Sequence, residues 1–286
     1  MSADSVIGFA FESLPVRGAL IHLSRSWRRM QRDHDYSALV TETLGHAAAA
    51  TGLIAQSLKF DGAITLQLQG KGALQMLIMQ CTSDLHMRGM ASVEADSSAT
   101  NFVELAGNAH CAITVDNGDR PYQGIVAIDG DSLSSSLEHY FDRSVQIPSH
   151  VALVANDEVA AGLLLQQMPG QSIDADDWTR LRFLGETLSA KDFDGEAGLS
   201  LIGKLFAEDD VRVHPARPVE FRCRCSNQKV EDVLKMIGEQ ESRSVLKEQG
   251  KIEVVCEYCG EKRHFDSVDV TRLFAENVIS GPDSVQ

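Results

Sequence analysis

The sequence predicts an α+β chain made of a mixed α/β body with an antiparallel sheet, a helical linker and a small cysteine-bearing C-terminal domain. Three observations carry this. Apolar residues recur at every second position through 63–128, helical spacing precedes and follows that block, and four of the six cysteines crowd behind Arg222. Strands clustered in sequence with helices on either side point to antiparallel pairing and not to an alternating parallel fold.

Each element follows from local pattern. The first residues carry Asp4 where a signal peptide needs positive charge, and their apolar stretch breaks at Glu12 and Pro15, so no export is expected. Residues 37–58, rich in Ala and Leu with few charges on any face, read as a buried helix. Period-two runs follow at Ile64, Leu66 and Leu68; Leu74, Met76, Ile78 and Gln80; Ile113 and Val115; and Ile125 and Ile128. Turn signals at Gly70-Lys71-Gly72 and Asp116-Asn117-Gly118-Asp119 break them into strands.

Residues 131–143 return to helix, with Asp131 as expected N-cap and Leu133, Leu137 and Phe141 at helical spacing. An antiparallel pair, 151–154 with 159–168, is expected around Asn156-Asp157-Glu158, and Pro169-Gly170 closes the body. From 173 to 206 the pattern is helical but weakened, with Gly185 and Gly203 inside the periods and Gly195 and Gly198 at their join. Residues 211–218, with Pro215 and Pro218, read as an extended connection. The expected domains are 1–172, a linker at 173–217, and a tail at 218–286.

Composition bounds the function. At 286 residues, 43% hydrophobic and 23% charged, the chain has the material for a full core and is not disordered. From Arg217 onward it carries 11 Lys or Arg and 13 Asp or Glu, so most of the formal charge of -15 lies ahead of that point. Such acidity repels phosphate backbones and anionic lipid, which argues against nucleic-acid or membrane partners. The apolar runs are far below a bilayer span, and a soluble, cytoplasmic protein is expected.

The strongest chemical signal is Phe221-Arg-Cys-Arg-Cys, thirty residues, then Cys256-Glu-Tyr-Cys-Gly. Four thiols in two pairs suit zinc, which takes four tetrahedral ligands and favours polarisable thiolates. Cys223, Cys225, Cys256 and Cys259 are the candidate ligands. His264 is a weaker candidate, since four cysteines already fill the shell. Two residues apart on an extended strand, the Cα atoms of Cys223 and Cys225 stand about 6.6 Å apart, near the upper end of the disulfide range. Of the three connectivities open to four cysteines, this spacing favours the local one. A structural zinc site contributes about 10–16 kcal/mol, whereas disulfides closing loops of a few residues constrain the unfolded chain weakly. Oxidation would therefore expel zinc without replacing its effect, and a tail of this size should then unfold.

Cys81 and Cys111 lie in strand patterns among apolar neighbours and read as inert. No nucleophile and base arrangement, phosphate-cradling loop or paired-carboxylate motif stands out, and no enzymatic activity is expected. Asp129-Gly130-Asp131 reads as a turn and cap, too short for a calcium loop.

With these residues in place, the chain resembles the redox-regulated bacterial heat-shock chaperones of the 33 kDa chaperonin family, marked by a C-terminal Cys-x-Cys and, about thirty residues on, Cys-x-x-Cys. The match extends to Tyr122-Gln-Gly-Ile-Val, to the stretch from Glu138-His-Tyr-Phe to Gln146-Ile-Pro-Ser, and to Leu165-Gln-Gln-Met-Pro-Gly. The resemblance implies an ATP-independent holdase that is reduced, zinc-bound, monomeric and inactive at rest. It implies Cys223, Cys225, Cys256 and Cys259 as zinc ligands, and disulfides joining Cys223 with Cys225 and Cys256 with Cys259 on oxidation. Zinc release, an unfolded tail, a loosened linker, dimerisation and binding of unfolding client proteins follow in such families. Two rivals stay open from the residues alone: a zinc-ribbon-like nucleic-acid module, since Arg222, Arg224, Lys262 and Arg263 flank the cysteines, and a thiol-disulfide oxidoreductase using Cys256 and Cys259.

Overall fold

Strands β1 (Ser5–Phe11) and β2 (Val16–Leu23) open the chain and lead through a short helix α1 (Arg25–Gln31) into α2 (Ala38–Ser57). The meander β3 (Ala63–Gln69), β4 (Leu74–Thr82) and β5 (His86–Val93) follows, then α3 (Phe102–Ala106), β6 (His110–Asp116) and β7 (Tyr122–Ala127). Helix α4 (Leu133–Tyr140) precedes the hairpin β8 (Ser149–Ala155) and β9 (Ala160–Gln167), and helices α5 (Ala175–Glu186) and α6 (Gly198–Leu205) complete this part. Short strands β10 (Val211–Val213), β11 (Arg217–Pro218) and β12 (Glu220–Phe221) end it. The computed structural model describes residues 4–94, 97–118, 121–128, 130–193 and 198–279. Asp119, Asp129 and Gly195, singled out above, lie outside them, as do the first three residues.

Contacts group the chain into two units, Met1–Arg222 and Cys223–Gln286. Residues 173–222 fall in the first.

That unit holds two sheets, with strand orders β10-β1-β2-β9-β8 (β11 also pairing β1) and β12-β5-β4-β3-β6-β7. Helix α2 packs against strands of both. Its low charge on every face is thereby explained: Leu44, Ala47, Ala48, Leu53 and Ile54 are buried against Val6, Ile21, Leu66, Leu77 and Met87 in one cluster. Ser37 starts the helix, its side chain accepting from the N–H of Val40. The first sheet is covered on its other face too. There Ile7, Phe9, Leu20, Leu163 and Leu165 meet Leu181 of α5, Leu201 and Ile202 of α6, and Phe206.

Double coverage hides β1 and β2 from a pattern reading. Ser5–Phe11 has no polar alternate residues because both faces are buried, so the period-two signal is absent. The second sheet alternates as expected, with Ile64, Leu66 and Leu68 inside and Thr65 and Gln67 less buried.

Several expectations need correction. Ser132 caps α4, not Asp131: its hydroxyl accepts from Ser135 N–H, and one π-helical turn, Phe141–Val145, replaces the regular helix after Tyr140. The stretch 211–218 is extended as expected but is also paired, since β10 and β11 both pair antiparallel with β1. Gly185 is also misread as a simple weak point. A Cβ there would stand 2.8 Å from the His150 ring and 3.2 Å from Leu163, so the glycine permits close approach of α5 to β8 and β9. Gly203 meets nothing within 4 Å and remains a propensity cost alone.

His150 is buried, and its Nδ1 lies 2.8 Å from Glu138 Oε1, which also accepts from Val151 N–H at 2.8 Å. Burial pushes the Glu138 carboxyl up, but the hydrogen bonds from His150 and Val151 outweigh it and hold the group below its usual range.

The second unit comprises α7 (Asn227–Ile237), α8 (Glu239–Gln249), the hairpin β13 (Ile252–Val255) and β14 (Lys262–Phe265), and α9 (Ser267–Ile279). Its buried cluster consists of Leu234, Ile252, Phe265, Val270 and Leu273. A core this small leaves such a unit marginal without a further constraint.

Candidate metal centre

Two local structures bring the cysteines together. Cys223 and Cys225 lie on the extended stretch just before α7, whose N-cap Ser226 accepts from Lys229 N–H. Cys256 and Cys259 sit on the turn between β13 and β14. There Cys256 N–H donates to Glu261 O at 3.0 Å, Gly260 N–H donates to Cys256 O at 2.8 Å, and Gly260 takes a left-handed φ of 66°. The glycine after the second pair is thus the residue that lets the turn close.

The four sulfurs lie within 4.8 Å of one another. The short contacts run across the pairs, Cys223 to Cys256 at 3.7 Å and Cys225 to Cys259 at 3.6 Å. A tetrahedral ion with metal–sulfur bonds of about 2.3 Å places its ligand atoms about 3.8 Å apart, so this donor set fits zinc in both chemistry and spacing. All six cysteines are thiols.

Four thiols this close cannot all ionise without a cation between them. Burial pushes up the thiols of Cys223 and Cys259. Cys225 runs the other way: burial opposes its ionisation, but the hydrogen bond from Arg263 and the neighbouring thiols lower it. Arg263 Nη2 stands 3.5 Å from Cys225 Sγ, and its guanidinium also contacts Asn227 and Glu261. This arginine appears in the sequence reading only as a basic flank. The signal that could have placed it is period two on β14, which sets Arg263 on the face of buried Phe265.

His264 is not in the cluster. It faces the opposite side of β14, exposed, with Nδ1 3.3 Å from Glu253. Lys262 pairs with Glu253 as well, so two of the basic side chains near the cysteines are held in local ion pairs and do not form an open cationic surface. Cys81 and Cys111 are buried on β4 and β6, and burial pushes both thiols up to about 12. They are inert, as their strand positions suggest. Among the described residues no helix is long and apolar enough to cross a membrane.

The family model described as Hsp33 protein matches residues 4–266, which includes all four cysteines. The chain belongs to the Hsp33 family. Among Hsp33 relatives, the 33 kDa chaperonin of Nitrosococcus oceani is 40% identical over 96% of each chain, and that of Methylobacillus flagellatus 37% identical over 99% of each. The crystal structure of the 33 kDa chaperonin (Hsp33 homologue) of Thermotoga maritima superposes with a TM-score of 0.80 over 97% of this chain and 100% of that one. At 22% identity it supports the fold. Hsp33 membership makes this chain a chaperone and not an enzyme.

Proposed function

We propose that the chain is an ATP-independent holdase whose client binding is controlled by the redox state of Cys223, Cys225, Cys256 and Cys259. The single observation that carries this is the placement of four converging sulfurs in a unit whose buried cluster, among the described residues, has five side chains. Zinc, when bound, supplies a cross-link between the stretch before α7 and the β13–β14 turn. Arg263 steadies the thiolate of Cys225 in that state.

Oxidation couples Cys223 to Cys225 and Cys256 to Cys259. Each S–S bond forms from two thiolates with two electrons passed to the oxidant, and a peroxide is reduced to water. Ligand loss releases zinc, the second unit unfolds, and residues 173–217 act as a metastable linker that loosens in turn. Apolar surface then becomes available to unfolding proteins in the cytoplasm, and the active form is a homodimer where the reduced form is a monomer.

The test treats zinc-loaded protein with hydrogen peroxide at elevated temperature, counts released zinc and lost thiols, and follows aggregation of an unfolding client by light scattering. Loss of four thiols with one zinc released and suppressed aggregation is expected. Zinc release with the client aggregating as fast as in buffer would sink the reading.

A further inference from the structure

A second site lies in the first unit, remote in sequence from the cysteines, where the first sheet runs past the end of α2. Cross-strand register builds it. Arg212, Ala10, Arg17 and Gln166 form one row across β10, β1, β2 and β9, and Gly8, Ala19 and Leu164 form the next. Successive residues of a strand point to opposite faces, so these rows share the α2 side of the sheet with Val6 and Ile21. Helix α2 covers the rows below but stops at Ser57. The uncovered part forms a cavity of about 370 Å³.

Its floor is made of small apolar groups and its walls are basic. Gly8 carries no side chain where a Cβ would lie 2.9 Å from Gln56 Nε2 and 3.6 Å from the His214 ring, which keeps the floor open between them. Arg17 and Arg212 flank Ala10 from the two neighbouring strands, their backbones about 10 Å apart. Among the described residues that line the cavity none is Asp or Glu, in a chain of net charge -15. Arg212 Nε itself stands 3.4 Å from Glu12 Oε1, with both side chains at least half exposed.

Arg17 is the decisive group. Its Nη2 donates to Gln166 Oε1 at 3.0 Å, and the buried Gln166 is itself anchored through Ser149 Oγ at 3.1 Å. The guanidinium is therefore held in place, yet its buried Nε has no acceptor. Arg28, Arg29 and Arg180 of the same unit each meet a carboxylate, whereas Arg17, like Arg217, is held by neutral oxygens. An unpaired donor on a cation is costly, and the charge of a guanidinium held beside an acid-free bay favours an anion within that bay. The end of α2 does not account for the arginine: Leu58 N–H and Ser57 Oγ satisfy the Ile54 carbonyl, and Gln56 is engaged by Arg217.

We propose that this bay binds a small organic carboxylate, its oxygens between Arg17 and Arg212 and its short aliphatic body over Ala10, Ala19 and Leu164. The cavity volume lies at the small end of ligand sites, which fits a chain of a few carbons. All of these residues belong to the first unit and none is one of the four cysteines, so the proposal does not rest on the redox chemistry.

The test titrates the reduced, zinc-loaded full chain with hexanoate, with hexanol as the neutral control and inorganic phosphate as the anion without an apolar body. The readouts are the Arg17 Nε–Hε signal and the Gly8 and Ala19 amides in nitrogen–proton NMR spectra. Hexanoate is expected to shift all three saturably, hexanol not at all, and phosphate about tenfold more weakly. Arg212→Gln, a surface change that leaves the fold intact, should weaken hexanoate about tenfold, and Arg17→Lys at least as much. An Arg17 signal that stays still, an equal response to hexanol, phosphate binding as tight as hexanoate, or an Arg212→Gln variant that binds as tightly as wild type would each overturn the proposal.

Discussion

The two units of this chain reach a folded state by different means. In the first, α2 is enclosed by two sheets and a second apolar layer lies beyond β1, β2 and β9, so stability comes from many buried side chains. Its cysteines, Cys81 and Cys111, contribute as apolar groups with thiols held protonated. In the second, the described residues give a buried cluster of five side chains, and four converging sulfurs stand in the same unit. The same residue type is filler in the first unit and, in the proposed zinc-bound state, framework in the second.

The largest expected effect breaks that contrast directly. Removing metal with a chelator under reducing conditions withdraws a contribution of about 10–16 kcal/mol from the second unit and nothing from the first. Hydrogen exchange should show protection lost in α7, β13 and β14 and retained in α2, β3 and β4. Protected β13 and β14 amides after chelation would show that the small core stands alone.

The reciprocal change acts on the first unit. Leu66 is fully buried on β3, and Leu66→Ala should cost about 2–5 kcal/mol, lowering the denaturation midpoint of that unit while the zinc-to-protein ratio stays the same. An unchanged midpoint would mean that its core is more tolerant than its packing suggests.

Two glycines sharpen the picture within residues 173–206. Gly185→Ala drives a Cβ into the His150 ring and should destabilise α5 docking by about 1–3 kcal/mol, exposing α5 amides to exchange. Gly203→Ala enters open space and should stabilise α6 by up to about 1 kcal/mol. If both slow α6 exchange equally, helix propensity and not packing governs the segment.

The smallest effect concerns Asp4, which accepts from the N–H groups of Ser24, Arg25 and Ser26 ahead of and within α1. Burial pushes its carboxyl up, but the hydrogen bonds from Ser26, Ser24 and Arg25 prevail and hold it below its usual value. With the folded pKa depressed, the contribution is full above the unfolded value of about 3.9 and is lost as pH falls through the folded one. Asp4→Asn should cost about 1 kcal/mol at neutral pH, and the gap to wild type should close in acid. A gap constant with pH, measured by denaturant titration, would refute the linkage.

The helix at 38–57, the alternating strands β3, β4 and β6, and the cysteine cluster are all legible in the sequence, because each rests on local period or on donor chemistry at fixed spacing. For helix α4 the sequence offers both Asp131 and Ser132 as caps, and only the backbone path selects Ser132.

The sequence by itself determined that four thiols would converge in one short segment, because donor spacing and segment length are local quantities. Only the tertiary structure decided that Ser5–Phe11 is a central strand, that 211–218 closes its edge, that Gly185 makes room for His150, and that Arg17 faces a bay whose described lining residues include no Asp or Glu. Those facts depend on which surfaces meet across the chain. A doubly covered strand or a close backbone approach leaves no period in the residues that make it.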